Sequence, residues 1–432
     1  DMQADHKETW KQILKGLKDN ILLNFPSQRH LTAKSCREVR AKAIDFIKTI
    51  GRSDKDLEGE ILALVHHLCF YCPDKSDIRS SIVEKAMCLL LSFPDLVRKR
   101  DFSRFIFLLS RNKRAGRRIL GVQLAAEAVK HKVFFESNSD PEENMKDEKA
   151  LVEDSEKTPE GSEKALEDSH KIHEDSPESL QPKPISGVKR AFSLVETIIA
   201  RCSDKAAIVR GVSLRVLGEV ILQTPSNEFL SVEFFHLLGM GKKATSEELK
   251  SGNFLENSKK SPFSATHDGV KRLMSLLERR SADERPNVRK AAVMSLESIL
   301  TCGPQLSQEA GSGLLTETTL QAIYDACMDR SVIVRKQGML SLSNLISRNP
   351  DDRTLQKIWL GAVLPLASDQ DHNVQLTALK HIQTILLEGV MRELKQKRSR
   401  RNPKSDKKKA PVWDMLDSLD DAMLRYIEKA VG

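Results

Sequence analysis

Four segments of the chain share one pattern of apolar and polar positions, and they align without gaps. Each begins with an aspartate, has a valine five residues later, and places apolar residues five, eight, eleven and twelve positions after that valine. At about 100° per residue, these positions fall within roughly 140° on one side of a helix. The pattern therefore predicts amphipathic helices that pack against a core through one face. The segments cover residues 204–221, 283–300, 329–346 and 369–386.

A small residue stands four positions after the valine in every segment, which predicts a close approach by a neighbouring helix. These residues are Ser213, Ala292, Gly338 and Ala378. Three weaker copies of the template lie upstream, around Val39-Arg40, Ile78-Arg79 and Arg117-Arg118. The regular steps between copies are 39 to 46 residues, close to the roughly 40 to 47 residues of HEAT and armadillo repeats.

Another apolar-periodic stretch precedes each template copy and supplies the first helix of a pair. The sequence therefore predicts an all-α fold, a HEAT-repeat α-solenoid of about seven helix pairs with a disordered acidic insertion. The predicted organisation is N-terminal HEAT repeats over 1–135, a disordered acidic linker over 136–186, HEAT repeats over 187–391 with an insertion near 240–266, a basic loop over 392–410 and a C-terminal helix over 411–432.

The aspartate and the arginine of the template predict a structural ladder. The aspartate ends the turn and can cap the second helix, and the arginine that follows the valine can reach the aspartate of a neighbouring unit. In the fourth segment Gln375 replaces the arginine. We interpret the ladder as a stacking device rather than a ligand site. Its residues are Asp204, Arg210, Asp283, Arg289, Asp329 and Arg335.

Composition supports an all-α chain in a reducing compartment. Of the 432 residues, 40% are hydrophobic and only 5% aromatic, and the seven cysteines lie mostly in apolar helical stretches. An odd number of such cysteines does not form a disulfide framework. No apolar run approaches the roughly 20 residues that cross a bilayer. We expect a soluble intracellular piece of a longer protein, with no membrane partner.

The distribution of charge predicts a polyanionic partner. The net charge is +8, but residues 136–186 hold 16 acids against 6 lysines, which leaves the rest of the chain at +18. Two basic clusters are candidate DNA-binding sites that would bind phosphates without reading bases. Four further basic residues, Arg98, Lys99, Arg100 and Arg104, lie one helix before the first cluster. The alternative for the first cluster is a solvated basic face, and the alternative for the second is a localisation signal. The clusters are Arg111, Lys113, Arg114, Arg117, Arg118, Lys130 and Lys132, and Lys395, Lys397, Arg398, Arg400, Arg401, Lys407, Lys408 and Lys409.

Motifs of catalysis are missing from the sequence. It contains no GxxxxGK[ST] phosphate loop, no HExxH and no GxSxG, so we predict that the chain is not an enzyme, has no small-molecule substrate and needs no cofactor. His66, His67, Cys69 and Cys72 have types that can bind zinc. They lie within an apolar helical stretch without a second ligand pair, so we predict helix packing and no metal.

The order of three blocks gives the chain a family resemblance. The blocks at 283–300, 328–346 and 355–390, with the segment Trp359-Leu-x-x-Val-Leu-Pro365 in the third, resemble the D-type HEAT-repeat subunits of condensin II. The resemblance covers about residues 188–390. Upstream of residue 188 it rests on the repeat period rather than on these blocks. The resemblance implies a non-catalytic subunit that is held by the kleisin subunit and works beside the SMC ATPase subunits. It also implies that this subunit acts on double-stranded DNA and chromatin in the nucleus during mitotic chromosome condensation. Those subunits are longer, so this chain would be an internal section.

Two functional hypotheses remain at this point. The first is a condensin-type scaffold on chromosomes that binds the kleisin subunit and contacts DNA without sequence specificity. The second is a HEAT scaffold that binds only proteins, of the transport-receptor or phosphatase-regulatory type. Importin-like arrays are usually acidic because their cargo is basic, so the +18 charge outside the acidic segment favours the first hypothesis.

Overall fold

The structure is a computed structural model that describes residues 2–17, 33–54, 57–93, 99–131, 194–226, 268–310, 317–399 and 410–431. Every regular element in these ranges is helical. Contacts between residues divide the chain into two units: Asp1–Phe105 with Lys132–Phe192, and Ile106–His131 with Ser193–Gly432.

The first unit contains four helices and the beginning of a fifth. Trp10 of the first helix packs against Phe46 of the second, with 6.4 Å between ring centroids. The third and fourth helices form the next pair, with Leu64, Leu68 and Ile82 in its core. The helices are α1 (Met2–Leu17), α2 (Ala33–Ser53), α3 (Glu58–Phe70), α4 (Ser76–Ser92) and α5 (Lys99–Ser110).

The second unit is a stack of helix pairs in which each second helix contacts the second helix of the next pair. It includes the end of α5. A 3₁₀ turn, Leu364–Ser368, precedes α14, and a π turn, Gln383–Leu387, joins α14 to α15. The helices are α6 (Ala115–Lys130), α7 (Leu194–Arg201), α8 (Ala207–Gln223), α9 (Asp268–Ser281), α10 (Pro286–Ala310), α11 (Glu317–Cys327), α12 (Val332–Arg348), α13 (Arg353–Val363), α14 (His372–Ile382), α15 (Glu388–Ser399), α16 (Pro411–Asp417) and α17 (Asp421–Val431).

The predicted all-α, HEAT-type fold class is confirmed. The seven second helices expected from the template are α2, α4, α6, α8, α10, α12 and α14, and each has a helix before it in the chain. None of the helices in the described ranges is both long enough and apolar enough to span a membrane.

The predicted apolar stripe faces the core. In α8 the template residues are 0% exposed, from Val209 and Leu214 to Ile221. The last repeat differs, because Leu379 and Ile385 remain partly exposed. Within the described residues α14 packs on α12 and on α17, but no further second helix follows it, so part of its stripe is left uncovered.

The small position of the template lies where the second helix meets the first helix of its own pair. A Cβ atom on Gly338 of α12 would stand 2.8 Å from the backbone nitrogen of Cys327 in α11. Gly121 holds the same position in α6, and its added Cβ would be 2.7 Å from the backbone nitrogen of Ser110. A larger residue at either position would therefore push the two helices of the pair apart.

Parts of the predicted organisation need correction. The first part of the predicted basic loop is helical, because α15 includes Arg392 and extends to Ser399. Nothing in this stretch interrupts the helix that begins with α14. The predicted C-terminal helix is two helices, α16 and α17. The acidic linker and the insertion near 240–266 lie outside the described residues. The first unit leaves out Ile106–His131, which the prediction placed with the N-terminal repeats over 1–135, because α6 packs with α7 and α8.

We expect Gly338→Ala to destabilise the chain by about 1–3 kcal/mol, because the methyl group has no space against α11. Gly211→Ala in α8 is the control. The atoms nearest to its added Cβ are 3.7 Å away, so alanine should stabilise the helix by about 0.5–1 kcal/mol. Urea unfolding followed by circular dichroism measures both. Equal stability of Gly338→Ala and the parent would contradict the close packing of α11 and α12.

Candidate nucleic-acid interface

A ladder of arginine–aspartate pairs connects the turns of the second unit. In each pair an arginine from the first turn of a second helix contacts both carboxylate oxygens of an aspartate in the next turn. In the first three pairs Nε and Nη2 each donate to one oxygen, whereas Arg335 donates from Nη2 and its Nε forms only an ion-pair contact. All nitrogen–oxygen distances are 2.7–2.9 Å. The four rungs are Arg118 with Asp204, Arg210 with Asp283, Arg289 with Asp329, and Arg335 with Asp369.

Each ladder arginine also binds its own turn. Nη1 of Arg210 donates to the carbonyl oxygens of Asp204 and Lys205, at 3.0 and 3.2 Å. Each aspartate in turn accepts from a backbone N–H two residues on, as Asp204 does from Ala206 at 2.9 Å. A guanidinium has five donors in a fixed plane. One side chain can therefore bind two turns at once and fix the offset between neighbouring pairs.

Burial and charge act in opposite directions on the ladder carboxylates. Burial by itself raises the pKa of Asp283, but the hydrogen bond from Arg210 and the N–H of Arg285 lower that pKa below its ordinary value. The pKa values of Asp204 and Asp329 are lowered for the same reasons. The hydrogen bond to Asp283 also raises the pKa of Arg210. Asp204, Asp283 and Asp329 are therefore ionised at neutral pH.

Neutral residues stand at both ends of the ladder. Asn112 occupies the aspartate position of the first turn, and its Oδ1 accepts from the N–H of Arg114 at 3.0 Å. At the other end, Nε2 of Gln375 donates to the carbonyl oxygen of Asp369 at 2.6 Å. The predicted cap of α14 also moves. Asp371, not Asp369, accepts from the first N–H groups of that helix, and Asp369 forms the rung.

The prediction that Arg118 contacts DNA needs correction, because its guanidinium is buried against Asp204. The template contained the signal for this, since Arg118 occupies the ladder position of the third upstream copy. Sequence reasoning also missed Arg201 and Arg280. Each lies three residues before a ladder aspartate and donates to it as a second arginine, at 3.2 and 3.3 Å.

Three cations of the first cluster project from the turn between α5 and α6. Arg111, Lys113 and Arg114 are all exposed. The guanidinium carbon of Arg111 lies 5.1 Å from the ring centroid of Phe107, a cation–π contact that holds the group at the surface. Arg117, also predicted to bind DNA, is half-buried at the start of α6.

The remaining residues of the first cluster do not join this turn. Lys130 is at the opposite end of α6, about 20 Å along the helix, and pairs with Glu127 at 2.5 Å. Arg104 is half-buried on α5. Arg98 and Lys132 lie outside the described residues. Lys99 and Arg100 belong to α5, but their side chains lie outside the described part. The predicted patch is therefore smaller, and its described core is one turn.

Only one side chain of the second cluster is described. Lys395 is exposed on α15. Lys397 and Arg398 belong to the same helix, although their side chains lie outside the described part. The other members lie wholly outside it: Arg400, Arg401, Lys407, Lys408 and Lys409.

His66, His67 and Cys69 lie in α3 and Cys72 follows it. Within the described part of the chain, no group of three or more potential metal ligands occurs. Burial raises the pKa of the Cys69 thiol, and it raises that of Cys72 to about 11. Both thiols are therefore protonated at neutral pH. His66 instead stacks on Phe105, with 4.2 Å between ring centroids.

Comparison with known proteins shows which proteins this chain is similar to. No protein-family model matches the chain. A curated relative from Xenopus laevis, condensin-2 complex subunit D3-L, is 23% identical over 424 residues and covers 90% of this chain. The chain is similar to condensin-2 subunit D3. The mouse subunit D3 is 25% identical and also covers 90% of the chain, and Arabidopsis thaliana CAP-D3 is 22% identical over 48% of it.

The predicted resemblance to the D-type subunit of condensin II is thereby confirmed. The chain spans about a quarter of the length of its frog and mouse relatives, 24% and 23%, and 14% of the Arabidopsis subunit. Among solved structures, an engineered protein covers 98% of the chain at 13% identity, with a TM-score of 0.34. A chain from a structure of Kap95p binding to RanGDP covers 96% at 10% identity, with a TM-score of 0.26. Scores of this size carry no information on function.

We expect Arg210→Ala to cost about 3 kcal/mol of stability, since it leaves the carboxylate of Asp283 buried without its main partner. Arg215→Ala in the same helix is the control. The side chains of Arg210 and Asp283 are 13% and 3% exposed, but those of Arg215 and Glu219 are both 45% exposed. The control should lose less than about 1 kcal/mol. Urea unfolding compares them, and equal losses would show that the ladder does not hold the pairs together.

Acid should weaken the second unit by protonating the ladder carboxylates of Asp204, Asp283 and Asp329. Their folded pKa values lie below the unfolded value of about 3.9, so the stabilisation is complete above that value and is lost as pH falls through the lowered folded pKa values. We predict that thermal stability falls steeply below about pH 4. Asp283→Asn removes one titrating group, so its decline should be shallower. A parallel decline of variant and parent would contradict this account.

Proposed function

We propose that this chain is a non-catalytic HEAT-repeat scaffold section of a condensin-2 D3-type subunit, which contacts double-stranded DNA without sequence specificity. The observation that carries the proposal is the α5–α6 turn. There Arg111, Lys113 and Arg114 are exposed, and their side chains form no ion pair with a described carboxylate. Concentrated cations without an internal counter-charge favour a polyanion as ligand.

The form of the turn supports contact with phosphates rather than bases. A turn between two helices presents flexible cations, but it does not present a helix that fits into the major groove. Phosphate contacts position a protein on a duplex and carry no sequence information by themselves. Binding at this turn would therefore be similar on every DNA sequence and strongly dependent on salt.

The assembly partners in this proposal follow from the relatives. Their names describe subunits of a condensin-2 complex. On this basis the proposed partners are the kleisin subunit, which would hold the scaffold, and the SMC subunits, which would supply ATP hydrolysis. The proposed location is the nucleus and its chromosomes, with a role in mitotic chromosome condensation.

We expect the triple variant Arg111→Ala, Lys113→Ala and Arg114→Ala to bind duplex DNA more weakly, with a salt slope flatter by about two to three units, since each lost phosphate contact removes about 0.9. Fluorescence anisotropy titrations at several salt concentrations, on two unrelated duplexes, measure this. Arg118 is left intact because it supports the ladder.

The control for this test removes three exposed cations elsewhere, by Arg348→Ala, Arg353→Ala and Lys357→Ala. These residues flank the connection between α12 and α13, away from the turns within the pairs. The control should keep nearly the parent's slope. Failure of the parent chain to bind DNA, or a strong preference for one of the two duplexes, would contradict the proposed function.

A further inference from the structure

We infer that the phosphate-binding surface is not confined to the α5–α6 turn but continues along the next three intra-pair turns of the second unit as one row of cations. We call this row the turn edge. Its further members are Lys205, Arg285 and Arg330, which follow the ladder aspartates by one or two residues. The inference rests on the proposed function for its ligand, double-stranded DNA.

The ladder places these turns next to one another. Nη1 of Arg118 donates to the carbonyl oxygen of Lys113 at 2.8 Å, while its other nitrogens bind Asp204, the neighbour of Lys205. Arg210 repeats the arrangement between Lys205 and the turn that contains Arg285. Packed helices stand about 10 Å apart, so four turns extend over about 30 Å. That length matches about nine base pairs of duplex, at about 3.4 Å each.

The turn edge keeps its positive charge because its side chains form no rung of the ladder; Arg330 acts on Asp329 only through its charge. Lys205, Arg285 and Arg330 are exposed, and within the described residues their side chains have no hydrogen bond or ion pair. The ladder aspartates are already neutralised, and two of them bind a second arginine. Glu284 is the one exposed acid in these four turns. A phosphate backbone would therefore meet cations in every turn from α6 to α12.

The ends of the second helices add to the preference for anions along this row. The residues before α6, α8 and α12 are Arg114, Ala206 and Ser331, and none of them caps its helix with a side-chain hydrogen bond. The ladder aspartates Asp204 and Asp329 accept from the N–H groups of Ala206 and Ser331 themselves. The N–H groups of the first turns of α8 and α12 therefore have no carboxylate acceptor among the described residues. The next second helix, α14, differs because Asp371 accepts from its first N–H groups. Since a carboxylate there repels phosphate, the row ends after α12.

The test is the triple variant Lys205→Ala, Arg285→Ala and Arg330→Ala in the whole chain, titrated on a 30-base-pair duplex at several salt concentrations. We expect a slope flatter by about two to three units and binding weaker by roughly 10- to 100-fold near 0.15 M salt. Combined with the variant of the α5–α6 turn, the loss of slope should add to about five units. Circular dichroism and thermal unfolding should match the parent, because these side chains support no rung.

The outcomes separate this inference from the proposed function. If the α5–α6 variant loses slope but the new triple variant keeps it, DNA meets only the first turn. The inference then fails while the proposed function stands. Equal losses in the new triple and in the Arg348, Arg353 and Lys357 control would also overturn the inference, because net charge rather than the row would govern binding. If the parent does not bind duplex DNA, both fail.

Discussion

The bidentate pairing of arginine with aspartate is the interaction on which the second unit depends. Apolar stripes alone allow neighbouring helix pairs to slide and rotate, because hydrophobic burial is not directional. A guanidinium that binds a carboxylate with two nitrogens and its own turn with a third permits one offset. The same rung that sets this offset, such as Arg210 with Asp283, also satisfies the buried polar groups of the turn.

This arrangement explains how the stack continues across long insertions in the chain. Arg118 pairs with Asp204 across the segment 132–193, and Arg210 pairs with Asp283 across the segment 227–267. Both segments follow the end of a second helix, whereas the rungs lie at its beginning. An insertion at one end of a helix pair therefore leaves the stacking contacts at the other end intact.

The ladder also separates two kinds of cation that look alike in the sequence. Arg118 stands in a run of basic residues, yet it is buried and paired. Lys113 and Arg114, a few residues earlier, are exposed and unused by the ladder. Charge in the interior is stable only when it is paired and hydrogen-bonded, so the buried arginine serves the fold. The exposed cations are available to a ligand, and this difference defines the candidate interface.

The sequence by itself determined the helix faces, the repeat period and six of the ladder residues, from Asp204 to Arg335. Helical periodicity and the aspartate and arginine positions are local patterns, and they predicted the buried face of α8 and the close packing at Gly338. Only the tertiary structure decided which cations remain free. That choice depends on partners far away in the chain, as for Arg118 and Asp204. The turn edge also depends on contacts between residues that are far apart in the chain. Lys113, Lys205, Arg285 and Arg330 are distant in sequence and become neighbours only when the rungs stack their turns.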